Sequence, residues 1–562
     1  MPSLSSNANP MPQAFTSSVA IEVDQLLQRL GVPRTAYTGG GLPVRAGNDT
    51  DAGVYYVERG KGLLDAGGSI HTNATRSVLQ QGNVDAGQGT AYTQLPTTLF
   101  LGKGGFDVSA SGDVLLGPVA NPFLLPGGLL NSFWHKSYFS TYAQDSYVNV
   151  TSLGGDVTFR TGGTLPTGGE GAATSLLQAW YLNKLLYVEG SRLYASDRKP
   201  WLRLNETSVA PFSTMFSLLP GSIRAVAFNG DLNIAGNLTL SPAAKGTLEL
   251  LAGGSVNAFQ PNGLVTMAGN PISWGRSVIN LSDADPLAIP AVTSPFAFQV
   301  IAGTSNSAGA TGGLLFLDFV NRLFAESGGT RGANTVLQTK QALHAAGVLH
   351  RDDLEPARIY AGEGDISGLT FFSPKETRVL AGRDISDIAL YLQNTRGTDT
   401  SIVASGRDLS PYDAASLLRL IARDAGAVTN NDSAPLAGDI QISGPGSLQV
   451  LAGRDLDLGT GVSSDNGTGT GITSIGNTRN PYLPFGGADL VGAAGIGEST
   501  GLSNSKLDIA GFIQAYVLTP EGAEYLEEIA PGLVFADQPA EEQARLAVEV
   551  FYRLLRDAGR SY

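Results

Sequence analysis

Ile359-Tyr360-Ala361-Gly362-Glu363-Gly364-Asp365-Ile366 returns as Val379-Leu380-Ala381-Gly382-Arg383-Asp384-Ile385. It returns again as Val403-Ala404-Ser405-Gly406-Arg407-Asp408-Leu409 and as Val450-Leu451-Ala452-Gly453-Arg454-Asp455-Leu456. A variant, Leu436-Ala437-Gly438-Asp439-Ile440, falls between the last two. The first three aspartates are 19 and 24 residues apart, and Asp439 and Asp455 are 16 apart. Self-similarity at this period marks a repeat architecture.

One unit reads as an apolar strand, a small residue and a glycine that turn the chain, and an aspartate opening the next strand with an inward Ile or Leu. Glycine suits a turn with positive φ, and aspartate can bond nearby backbone N–H groups. A unit of this length cannot bury its own apolar face, so units must stack, with parallel strands about 4.8 Å apart. The expected fold is therefore all-β dominated: a right-handed parallel β-helix or β-solenoid. Gly-Asp turns also punctuate β-sandwiches, but here the flanking strand residues recur together with the turn. Gly364, Asp365, Gly382, Asp384, Gly406, Asp408, Gly453 and Asp455 are the expected structural turn residues.

Earlier stretches carry the same phrase more loosely, at Leu64 to Ile70, Phe106 to Leu115, Tyr147 to Phe159, Ile223 to Ile234 and Leu248 to Val256. Phe296 to Gly303 reads as one more rung. The resulting division is a lead-in with a short helix over 1–60, solenoid over 61–311, a helical insertion over 312–352 and solenoid repeats over 353–458. A loop rich in Gly, Ser and Asn follows over 459–504. The α/β C-terminal piece spans 505–562, with a strand and turn at Ser505 to Val517 and helices at Pro520 to Ile529 and Ala540 to Ala558. Such a piece would cap an exposed solenoid edge.

Composition agrees with short strands and many turns. There are 72 glycines in 562 residues, nearly twice the usual share, and DEKR makes up only 15%. The net charge of −14, without a basic cluster, excludes a nucleic-acid binder. No run of 18 apolar residues is present to span a membrane as a helix. Cysteine is absent, so disulfides and thiolate metal sites are excluded.

Two insertions interrupt the early repeats, near 122–142 and 174–220. Phe123, Phe133, Trp134, Tyr138, Phe139 and Tyr142 crowd the first. Such a cluster packs on the solenoid flank or offers a sugar platform, and it is the candidate binding surface. The four histidines form no H-x-x-x-H or H-E-x-x-H pattern. The single G-x-S-x-G, Gly497 to Gly501, lacks the strand and helix that a nucleophile elbow needs. The repeat aspartates line up as turn residues bonding their own turns, so no catalytic residue, metal or cofactor is expected.

The repeats Val379 to Ile385 and Leu451 to Leu456 resemble those of filamentous haemagglutinin exoproteins, the large passengers of two-partner secretion in Gram-negative bacteria. Ile359 to Leu380 and Ala515 to Gly559 resemble a module in the C-terminal half of such exoproteins. The resemblance implies a non-enzymatic β-helical adhesin acting in cell adhesion, aggregation or biofilm formation. It would be secreted through an outer-membrane two-partner secretion transporter and displayed at the cell surface, facing a host or bacterial receptor or polysaccharide. The family's N-terminal secretion domain and signal are missing from this sequence, which is the expectation for a segment of a longer exported chain. The stalk of a contact-dependent toxin-delivery exoprotein and a β-helix polysaccharide-degrading enzyme are the alternatives.

Overall fold

The computed structural model describes residues 41–51, 53–71, 96–124, 135–161, 218–258, 277–299, 345, 347–410, 439–459, 471–496 and 509–560. Three long parallel sheets dominate them. The first runs through eleven strands, from Leu42–Ala46 to Asp489–Ala493, each paired in parallel with the corresponding strand of the next rung. The second and third sheets are built the same way from the second and third strands of each rung. At about 4.8 Å per rung, eleven strands make a rod about 50 Å long.

The first-sheet strands alternate strictly, as in Tyr147–Ser152, where Val148, Val150 and Ser152 are buried and Tyr147, Asn149 and Thr151 face outward. Parallel pairing in unbroken register turns this alternation into columns. Val108, Val150, Ala225, Leu250, Ile359, Val379, Val403 and Val450 follow one another along the interior. A second column, Ala110, Ser152, Ala227, Ala252, Ala361, Ala381, Ser405 and Ala452, holds only small residues next to the first corner. This is the small residue of the repeated phrase. Ile366, Ile385 and Leu409 then open the second sheet, all fully buried.

Several segments depart from the sequence reading. Stacking already begins at Leu42–Ala46, inside the stretch read as a lead-in. Phe296–Gln299 is no rung: it pairs antiparallel with His135–Tyr138, so two excursions from the rod meet in a side ribbon. Asp439 opens a third-sheet strand, Asp439–Ser443, and therefore stands out of phase with the other repeat aspartates. The stretch read as a loop contains two further strands, Gly471–Ser474 and Asp489–Ala493. Between them Arg479, Asn480 and Leu483 are buried. Arg479 lies over the Tyr391 ring, 5.5 Å from its centroid, and Tyr391 stacks on Phe372 at 4.8 Å. This segment thus covers an apolar patch on the outside of the third sheet.

The C-terminal piece holds three α-helices and no strand among its described residues: α1 (Ile509–Val517), α2 (Pro520–Ile529) and α3 (Ala540–Arg560). Ile509–Val517 replaces the expected strand and turn. The Thr519 hydroxyl accepts the Gly522 N–H, with Pro520 in the first turn, so α2 starts where its cap and proline dictate. Ile513, Val517, Leu526, Phe535, Leu546, Ala547 and Val550 form a separate small core. Helix α3 packs next to the last first-sheet strand, Asp489–Ala493.

The helices expected at Ala14 to Leu30 and Tyr412 to Gly426, that expected at Thr335 to Gly347 apart from Ala345 and Gly347, and most of 174–220 and 312–352 lie outside the described residues.

Candidate functional site

The repeat aspartates meet at the corner between the first and second sheets, and they bond across rungs. The Ser69 N–H donates to Asp49 Oδ1 at 2.9 Å, and the Asp113 N–H to Ser69 Oγ at 3.0 Å. Asp156 donates to Asp113, Asp231 to Asp156, Ser255 to Asp231 and Asp365 to Ser255, at 2.7–3.1 Å. Asp384 donates to Asp365 and Asp408 to Asp384 at 3.0 Å, and Asp455 to Asp408 at 3.3 Å. Each side-chain oxygen accepts the backbone N–H of the residue in its own place one rung on. The expectation that each aspartate serves its own turn is therefore corrected. The bonds tie successive turns together, and Ser69 and Ser255 stand in where sequence shows no aspartate.

Glycine has a related task here. A Cβ on Gly382 would lie 2.0 Å from the Gly362 carbonyl oxygen, on Gly406 2.1 Å from that of Gly382, and on Gly453 1.9 Å from that of Gly406. None of these glycines has positive φ. They are required by close stacking of turns, which corrects the reading that the turn demanded a left-handed residue. Gly364 is likewise hemmed in, by Ser255 Oγ at 2.2 Å.

The last rungs add charge. Arg407 Nε donates to Asp384 Oδ1 at 3.0 Å, and Arg454 Nε to Asp408 Oδ1 at 3.0 Å, each with a second guanidinium contact to the other carboxylate oxygen. Arg383 Nε lies 3.6 Å from Asp365 Oδ1. Partial burial pushes the Asp384 carboxyl up, but Arg407 and the Asp408 N–H outweigh it and hold it below the ordinary carboxylate range. Among the described residues Asp156 has no such arginine. Its burial, with Asp231 and Asp113 on either side, pushes its carboxyl up. The geometry makes this column a spine of turn-to-turn bonds. Among the described residues no three His, Asp or Glu side chains gather as a metal site would need.

The aromatic candidates divide. Phe123 is buried and stacks on Phe139 with ring centroids 4.9 Å apart. The Tyr142 hydroxyl donates to the Leu218 carbonyl at 2.8 Å, and its burial pushes the phenol well above its usual range. Tyr138 lies in the side ribbon, while Phe133 and Trp134 lie outside the described residues. The root of this insertion is tied down: Asn121 Nδ2 donates to Thr141 Oγ1, and Thr141 Oγ1 to Glu58 Oε2, at 2.8 and 3.2 Å. Burial of Glu58 pushes its carboxyl up, against hydrogen bonds from Tyr56 and Thr141. Phe123, Phe139 and Tyr142 therefore pack on the flank.

A pattern that sequence reading missed concerns where the rod is interrupted. Residues 72–96, 161–217, 258–276, 411–438 and 457–470 all break a rung at the same corner, between its second and third strands. Uninterrupted rungs cross this corner in two residues or fewer, such as Gly236 and Asn237, or Gly368 alone. At one interruption the two ends meet, the Ser277 N–H donating to the Ala258 carbonyl at 2.9 Å. The signal was present in the uneven spacing of the repeats, but only the register assigns these five breaks to one corner and the two others, 121–146 and 281–356, to the corner between a third strand and the next first strand. Exposed apolar side chains occur elsewhere, notably Phe485 at 89% and Tyr482 at 49%, on the segment that crosses the third sheet. No protein-family model, no curated protein and no solved structure matches the chain.

Proposed function

We propose that this chain is a rod segment of a secreted, surface-displayed adhesin of the filamentous haemagglutinin kind, exported by an outer-membrane transporter partner. One observation carries the reading: a regular solenoid that keeps its register across long interruptions, five of which share one corner, so that many inserted segments are offered along one edge. A scaffold that tolerates insertions at its corners while keeping its register suits display, since binding residues commonly sit on segments held by a rigid frame. The ligand would be a host or bacterial surface receptor or polysaccharide. The repeats that resemble those exoproteins lie in rungs whose first-sheet strands, Ala357–Ala361 through Ser447–Ala452, pair in unbroken parallel register.

The test measures binding of the purified 562-residue chain to cells and to extracellular matrix. Beside it run versions with residues 162–217, or 411–438, replaced by Gly-Asn, the crossing used by the Gly236–Asn237 rung. Saturable binding lost in one excised version that keeps its β-rich circular dichroism supports the reading and locates the adhesive segment. Absence of binding by the full chain overturns an adhesive role for this segment.

A further inference from the structure

The most deeply buried charges of the described rod are away from the aspartate column. Lys375 sits on the corner that joins Leu369–Phe372 to Thr377–Ala381, yet its side chain is only 1% exposed. Its Nζ donates to the Gly246 carbonyl at 3.0 Å and to Asp353 Oδ2 at 2.5 Å. Asp353 is also buried, and its Oδ1 accepts the Glu355 N–H at 3.2 Å. The third member is His350. It is fully buried, neither ring nitrogen has a hydrogen-bond partner among the described residues, and Nδ1 lies 3.6 Å from Asp353 Oδ2. The Asp353 N–H donates to the His350 carbonyl at 3.1 Å, so one turn fixes both side chains.

An ion pair accounts for Lys375 and Asp353 but leaves the imidazole without a purpose. Burying an unpartnered polar ring costs on the order of 1–3 kcal/mol. Among the described residues its ionic neighbour is the carboxylate oxygen that the lysine also touches. Glu355 and Arg358 are also close but pair with each other and with Glu249.

We propose that Lys375 and Asp353 become joined by an isopeptide bond, with His350 carrying the proton to the departing oxygen. Within the pair, Nζ first passes a proton to Oδ2, giving an amine and a carboxylic acid. The Nζ lone pair then attacks Cγ, an N–C bond forms, and the Cγ–Oδ2 bond breaks. Oδ2 leaves as water, taking its second proton from Nζ by way of the imidazole. Ammonium and carboxylate become a neutral amide and one water, and nothing is oxidised or reduced.

Burial favours the amine that the attack needs. It pushes the Lys375 ammonium toward the neutral amine. The opposing influence is the nearby His350 ring together with the Lys375 ion pair, which hold Asp353 down to about 2 despite its burial. Forming the amide removes both charges from a site where neither is well solvated. Fixed contact supplies the rest, since well-oriented groups react as if at roughly 10⁵ M or more. The bond would close the chain between Asp353 and Lys375, clamping the rung that starts at Ala357 to the corner of the next.

The test is the intact mass of the purified, folded chain, recorded under denaturing conditions, followed by proteolytic mapping. The expected result is a chain lighter by one water and a branched peptide joining Asp353 to Lys375. Asp353→Ala and Lys375→Ala keep their full mass, whereas Asp353→Asn releases ammonia and reaches the same amide. His350→Gln slows the loss about 100-fold, the scale of a proton-transfer contribution. A folded wild-type chain at full mass overturns the bond, as does a water loss that maps elsewhere. An unchanged rate in His350→Gln overturns the role of the imidazole.

Discussion

The carboxylate of Asp384 accepts the backbone N–H of Asp408, which occupies the corresponding place one rung further along, at 3.0 Å. Its other partner is Arg407, so one side chain links two turns through both main chain and charge. Replacing Asp384 with Ala leaves a half-buried N–H without an acceptor and is expected to cost about 2 kcal/mol. Asp384→Asn keeps the amide bond, loses the ion pair and costs less. Chemical denaturation followed by circular dichroism gives both values, and equal losses would contradict the main-chain role.

Asp156 is the opposite case, because burial and the aspartates on either side push its carboxyl up. An acid whose folded pKa is raised carries a penalty when charged. That penalty is full above the folded pKa and disappears below the unfolded value of about 3.9. Asp156→Asn preserves the oxygen that accepts the Asp231 N–H. It is expected to raise the melting temperature at pH 7, with the advantage over wild type shrinking as pH falls through the raised pKa. A pH series of thermal melts reads this directly.

Gly406→Ala places a methyl group 2.1 Å from the Gly382 carbonyl, which is backbone and cannot swing aside. The expected cost is about 1–3 kcal/mol, typical of overpacking. Gly397→Ala is the matched control, since nothing lies within 4 Å of the added carbon. A melt of Gly397→Ala close to wild type, beside a lowered Gly406→Ala, would separate stacking from chain flexibility.

Arg479 Nη1 donates to the Leu392 carbonyl at 3.3 Å and Nη2 to Gln441 at 2.8 Å, while the guanidinium covers Tyr391. Arg479→Ala is expected to cost about 2 kcal/mol through its charged hydrogen bonds. It should also expose the Phe372–Tyr391 pair, read as increased binding of an apolar dye. Arg479→Lys recovers little, because an ammonium cannot reach two acceptors and the ring in one plane.

The repeated phrase around Asp365, Asp384, Asp408 and Asp455 made the stacked strands legible, because strand, small residue and turn recur together. The looser rungs were found where Gly and Asp survive, as at Asp113, Asp156 and Asp231. Leu42–Ala46 was legible but overlooked: Ala46-Gly47-Asn48-Asp49 has the spelling of Ala381-Gly382-Arg383-Asp384, and only Thr50 stands where the later turns carry Ile or Leu. Phe296–Gln299 misled because Ile301-Ala302-Gly303 imitates the end of a rung, and a short apolar run does not disclose whether its partner is parallel. Asp439 misled in a related way, since Ala437-Gly438-Asp439-Ile440 differs from the true turns only by the residue missing between Gly and Asp. Ile509–Val517 has a buried face at Ile513 and Val517 supplied by α2 and α3, a tertiary context no local pattern carries. As for the candidate site, the turn aspartates were identified, but their bonds run to the next rung and so depend on neighbours 19 to 75 residues away. The His350, Asp353 and Lys375 grouping was invisible for the same reason.

Every bond in the aspartate column points one way, with the oxygen on the earlier rung and the N–H on the later one. A finished turn therefore presents a ready-made acceptor to chain that has not yet folded, while the later turn has nothing to offer until it arrives. The growing end of such a rod is a template and the other end is not. A polypeptide made from its N-terminus can lay itself down turn upon turn, without waiting for its far end.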